Sequence, residues 1–108
     1  MPDLAVTTEL FAWEDGQLSR ARVTQCALSR VCGACGESLG RPIVFIGTAL
    51  ESDRNAFHVP PMHASCAADV RAALDPTWVS VSTGGFEFVR PAREDLDREP
   101  RFEPNSLL

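Results

Sequence analysis

Four residues restrict this chain more than anything else in it: the pair Cys32 and Cys35, and the pair His63 and Cys66. The first pair stands in Cys32-Gly33-Ala34-Cys35-Gly36. A glycine on the shoulder of such a turn can take the positive φ it needs, and backbone N–H groups can then face the sulfurs. The second pair follows Pro60, Pro61 and Met62 and leads into a helix-favouring run from Ala67 to Leu74. Being three positions apart, His63 and Cys66 project from the same side of a first helical turn. Two rigid pairs joined by a hairpin-length insert describe a closed tetrahedral Cys3His site: one structural Zn2+ held by Cys32, Cys35, His63 and Cys66.

The remaining composition fits that reading. A chain of 108 residues is one domain's worth, with a core of modest size. No apolar run reaches the length of a membrane span, so no membrane partner is expected. The start, from Met1 to Val6, has neither a basic nor an apolar signal region, so no secretory signal is expected and the cytoplasm is the expected compartment. Four cysteines there are reduced or metal-bound more often than paired as disulfides. The net charge is −5, and all ten basic residues are arginine. An acidic chain is a poor general binder of nucleic acid, because phosphate affinity rests on neutralising charge.

Along the chain, residues 1–8 read as a loose lead-in. The stretch Glu9–Trp13, a turn at Asp15-Gly16 and a partly alternating segment from Leu18 to Leu28 predict an N-terminal β-hairpin. Cys26 then reads as a small buried side chain in its second strand, with a ligand or redox role as the rival reading. Ile43–Ile46 is a β-branched and aromatic run suited to a buried strand, and Ala56–Val59 is its expected returning strand. Pro60 and Pro61 end that hairpin and set the entry to a helix from about Met62 to Leu74, with Val70, Ala73 and Leu74 on the face of Cys66. Asp75-Pro76 stops the helix. Trp78–Ser82 and Phe86–Val89, around Thr83-Gly84-Gly85, predict a further hairpin. Residues 90–108 hold three of the eight prolines, four arginines and five acidic residues, and read as a mobile or draped tail with Phe102 and Leu107-Leu108 as its only anchors.

A cysteine knuckle, a β-hairpin and a helix carrying the last two ligands resemble the treble-clef family of zinc fingers over about residues 30–75. Within it, the runs Cys35–Arg41 and Pro60–Ala68 resemble those of small zinc proteins of actinobacteria and their phages. The resemblance implies a treble-clef-like zinc domain; with the N- and C-terminal hairpins read from the residues on either side, the expected fold is α+β in a single unit 1–89. The resemblance maps the four ligand positions onto Cys32, Cys35, His63 and Cys66, and it implies no activity.

With four protein ligands no coordination position stays open for a substrate, so the expected chain is not an enzyme. A redox Cys-x-x-Cys is disfavoured because such motifs open a helix in a βαβ setting. In nucleases built on a similar core a histidine near the hairpin activates water. His58 stands there, but the helix offers only Asp69 beside it. The leading reading is an interaction module that binds another protein through hairpin edges or the 90–108 segment. The second is a nucleic-acid-binding regulator using Arg20, Arg22, Arg30 and Arg41 as a basic strip.

Overall fold

The computed structural model describes residues 10–96 and 99–106. The lead-in and the Leu107-Leu108 anchor of the sequence reading lie outside them. In chain order the elements are β1 (Trp13–Glu14), β2 (Gln17–Leu18), α1 (Arg20–Ser29), β3 (Ile43–Gly47), α2 (Ala49–Arg54), α3 (Ala64–Leu74), β4 (Val79–Thr83), β5 (Gly85–Val89) and β6 (Arg101–Ser106). The strands form three two-stranded antiparallel sheets, β1–β2, β3–β4 and β5–β6, in a small mixed α and β fold.

Strand β3 divides the interior. All five of its residues are buried, and side chains alternate across a strand, so a strand buried throughout must have packing on both faces. Val44 and Ile46 join one core with Leu10, Cys32, Ala34, Val59, Met62, Ala67 and Val70. Ile43 and Phe45 join the other, with Val23, Ala27, Phe57 and Phe102. The second core is largely aromatic: the Phe102 ring lies 5.8 Å from Phe45, 5.6 Å from Phe86 and 5.0 Å from Phe88. One core therefore contains Cys32, a candidate ligand, and the other contains none of the four candidate ligands.

Strand β3 takes its partner from further along the chain than expected. It pairs with β4, Ile43 opposite Thr83 and Gly47 opposite Val79, and not with Ala56–Val59. The cause is local. Thr48 Oγ1 accepts from Glu51 N at 3.1 Å while Glu51 Oε1 accepts from Thr48 N at 3.2 Å, a capping box that turns the chain into α2 directly after β3. Asn55, in the left-handed region at φ 56°, ends that helix, and its Nδ2 donates to Pro104 O at 2.8 Å. Phe57 then exchanges two backbone hydrogen bonds with Phe102, at 2.8 and 2.7 Å. All that remains of the expected hairpin is an isolated bridge between Val44 and Met62.

Two further expectations change for related reasons. Asp15 and Gly16 both have positive φ, as the predicted tight turn requires, but the N-terminal ladder stops at Leu18. Ser19 caps α1 by accepting from Arg22 N, and the buried residues Val23, Cys26 and Ala27 follow the helical i, i+3, i+4 period. The apparent alternation in this stretch was misleading, since Ala21 is exposed. Thr83 makes a corner instead of a hairpin turn, its hydroxyl donating to Gly85 O at 2.9 Å, so β4 joins β3 while β5 joins β6. The segment expected to be mobile or draped thus ends in a built strand, and its predicted anchor Phe102 is fully buried.

Helix α3 occupies its predicted place, with His63 as its N-cap residue. Its buried face is Ala67 and Val70, not Val70, Ala73 and Leu74. Leu74 remains 40 % exposed, because the helix is held at its first turn and its last turn runs off the core.

Candidate metal centre

The first half of the site is a loop closed upon itself. Val31 bridges Ser38, Cys32 N donates to Glu37 O at 2.8 Å, and Gly36 N donates to Cys32 O at 2.9 Å. Gly36 has φ 76°, and a Cβ there would meet the Phe11 ring at 2.9 Å, so both conformation and space require glycine. Ala34 N donates to Cys32 Sγ at 3.4 Å, the backbone-to-sulfur contact expected of the turn. The loop is held from two sides: Phe11 N and Ala12 N donate to Ala34 O and Gly33 O, and Gly33 N donates to Pro61 O at 2.8 Å. Gly33 also lies so close to Pro60 that a Cβ would meet its ring at 3.1 Å.

That last contact sets the second half against the first. Met62, fully buried and bridged to Val44, ties the segment before α3 to β3. His63 caps the helix and Cys66 lies one turn on. The ligand atoms of Cys32, Cys35, His63 and Cys66 all fall within 4.8 Å of one another. His63 Nδ1 is 3.4 Å from Cys35 Sγ and 3.9 Å from Cys66 Sγ. Around a tetrahedral ion with bonds of about 2.3 Å to sulfur and about 2.0 Å to nitrogen, such separations come to roughly 3.5–3.8 Å. The four positions can therefore hold a single metal ion, and three sulfurs with one imidazole form a donor set that suits zinc.

The spacing could not say which imidazole nitrogen faces the sulfurs, and the structure does. His63 Nε2–H donates to Ser38 O at 2.8 Å, which leaves Nδ1 toward the site. A carbonyl on the outer nitrogen fixes the ring and its tautomer, as around metal-ligating histidines generally. No sequence signal pointed to Ser38. The nearest clue was its place in the loop that the knuckle must close.

The charges are unequal. Burial opposes the Cys32 thiolate, but hydrogen bonds at the backbone of Cys35, His63 and Ala34 outweigh it and hold the thiol below its usual pKa. Burial, then the Cys32 thiolate beside it, pushes Cys66 up to about 12. The Ser38 carbonyl raises His63 above its usual value, against the opposing effect of burial. Metal binding must therefore remove a proton from Cys66 and, toward acid, from His63. Zinc affinity is expected to fall by about tenfold or more for each unit of pH lost below neutrality, as competition with a chromophoric chelator across a pH series would measure. A pH-independent affinity would mean that these groups are not the ligands.

Two other candidates separate from the centre. Cys26 is fully buried on α1, outside the four-atom cluster, and burial pushes its thiol up to about 12. It is buried, as expected, but in a helix and not in a strand. His58 does not reach the centre. Its Nδ1–H donates to Glu51 Oε2, so one carboxylate both completes the cap of α2 and holds the imidazole. Of the four arginines read as a basic strip, Arg22 lies over the Phe11 ring and donates to Phe11 O, and Arg30 lies over the Phe86 ring. Among the described residues no helix is long and apolar enough to cross a membrane. No family model, curated protein or solved structure matches the chain.

Proposed function

We propose that this chain is a non-enzymatic module, folded around one structural zinc ion, that acts as an adaptor or regulator by binding another protein. One observation carries the reading: Cys32, Cys35, His63 and Cys66 converge with their ligand atoms within 4.8 Å. Four protein donors complete a tetrahedral shell and leave no position for a substrate or an activated water. The order of parts supports a treble-clef relationship, knuckle first and helix-borne pair second, with β3 and α2 standing where the hairpin was expected. Three thiolates that must stay unoxidised suit a reducing cytoplasm.

Strand edges supply the contact surface. Among the described residues β4 and β5 each pair along one edge only, which leaves the other for an added strand from a partner. The nucleic-acid reading is weaker, because Arg22 and Arg30 are engaged within the fold and the net charge is −5. The test is retention from host extract on immobilised protein, zinc-loaded against chelator-stripped, beside titration with RNA and DNA at low salt. A defined protein held only by the loaded form, with no nucleic-acid binding, is the expected result. Retention of no protein by either form would refute the reading, and nucleic-acid binding that weakens steeply with salt would replace it.

A further inference from the structure

Strand β4 has an edge that its own fold leaves unused. On the far side of β3, Val44 N donates to Met62 O at 2.9 Å and Met62 N donates to Val44 O at 3.0 Å. A strand residue turns its N–H and C=O to the same side, so Val44 offers neither to β4. Val44 stands opposite Ser82, and the β3–β4 hydrogen bonds therefore run through the pairs Ile43–Thr83, Phe45–Val81 and Gly47–Val79. In between, Ser80 and Ser82 point their N–H and C=O groups away from β3. Both residues are exposed, and among the described residues no hydrogen bond reaches those groups. Natural sheets protect such an edge with a charge, a proline or a bulge. The run Val79-Ser80-Val81-Ser82-Thr83 has no charge and no proline, and it pairs with β3 without a shift of register.

We propose that this edge pairs with the same edge of a second copy of the chain, forming one antiparallel sheet in the order β3–β4–β4–β3 about a two-fold axis at Val81. The pattern of outward groups is self-complementary in that register. With Val81 opposite its own copy, Ser80 falls opposite Ser82 of the second copy, and each such pair exchanges two hydrogen bonds. The two Val81 residues, turned toward their own β3 strands, meet as the closer, non-hydrogen-bonded pair, where apolar side chains gain most from contact. A slip of one residue would set outward groups against inward ones and lose the ladder. The edge of β5 is unsuited to the same use. Centred in the same way, its self-pairing would put Glu87 directly opposite Glu87 of the second copy, and like charges so placed repel. The edges thus divide, β4 for a second copy and β5 for a different protein. That division rests on the adaptor reading, whereas the pairing of β4 does not.

The test is sedimentation and amide hydrogen exchange of the zinc-loaded full chain, over a concentration series reaching about 1 mM. A monomer–dimer equilibrium is expected, with exchange at Ser80 and Ser82 slowing as the dimer forms and exchange at Phe88 unchanged. Ser80→Pro and Ser82→Pro each remove a donor that β3 does not use, once from each copy, and should weaken association by at least about tenfold. Ser82→Ala keeps the donor and should leave association as it was. Zinc content and thermal melts are measured for every variant. A proline variant that has lost its zinc or its cooperative melt is replaced by the double variant Ser80→Lys with Ser82→Lys, which gathers like charges at the junction. A monomer at every concentration, or association indifferent to these substitutions, would overturn the proposal. So would slow exchange at Ser80 and Ser82 that is the same at every concentration, since another part of the chain would then cover the edge. No host protein enters the measurement, so a monomeric result leaves the adaptor reading standing, and failure to retain a host protein leaves the dimer standing.

Discussion

Cys66→Ser is expected to abolish zinc binding and unfold the domain, while Cys26→Ser keeps one zinc per chain. A structural zinc of this type contributes on the order of 10 kcal/mol. A folded domain has only about 5–15 kcal/mol in total, so little stability would remain without the ion. Cys66 contributes its sulfur from one turn inside α3, the helix that packs on β3, so loss of the ion also frees that helix from the knuckle. Cys26 is as deeply buried as Cys32, which makes the comparison fair. Its serine variant exchanges a fully buried thiol for a buried hydroxyl at a cost of about 1–3 kcal/mol, with all four ligand side chains kept. Elemental analysis and thermal melts, with and without strong chelator, separate the two. A cooperative melt for metal-free Cys66→Ser protein would refute a structural role for the centre.

The second large effect lies in the segment that composition assigned to a tail. Phe102→Ala should destabilise the zinc-loaded protein by about 3–5 kcal/mol, the usual cost of removing a buried phenylalanine. Phe102 is fully buried, touches the rings of Phe45, Phe86 and Phe88, and joins Phe57 through two backbone hydrogen bonds. Leu96→Ala, a few residues away at a fully exposed position, should change stability by less than about 0.5 kcal/mol. Urea denaturation under zinc-saturating conditions reads both. Equal, small effects at the two positions would mean that β6 is not part of the cooperative unit.

The metal-site geometry was legible because it is local. Cys32 with Cys35, and His63 with Cys66, each lie within one turn of chain, so spacing alone aims each pair, and Gly36 has the positive φ its place in the knuckle demanded. Helix α3 was legible for the same reason, between its prolines and Asp75. Strand pairing was not, because it is decided by competition between distant segments. Ile43–Ile46 reads as a strand in any context, yet nothing in its own residues says whether Ala56–Val59 or Val79–Thr83 will lie beside it. One local signal for the outcome did exist, the Thr48 and Glu51 spacing of a capping box, which diverts the chain before a hairpin can form. The tail misled because its prolines and charges dominate its composition, whereas two of its described residues, Pro100 and Phe102, are buried and seat it on the core. Ser19 likewise announced α1 by residue type alone, and the accidental alternation after it concealed that.

Because both faces of β3 are covered, the protein has a party wall. Val44 and Ile46 support the side that holds the cysteine loop, while Ile43 and Phe45, next to them in the chain, support the aromatic side. Neither room can shift without moving the partition, so withdrawal of the ion from one should be felt in the other as loosened phenylalanine packing, at a distance from any sulfur.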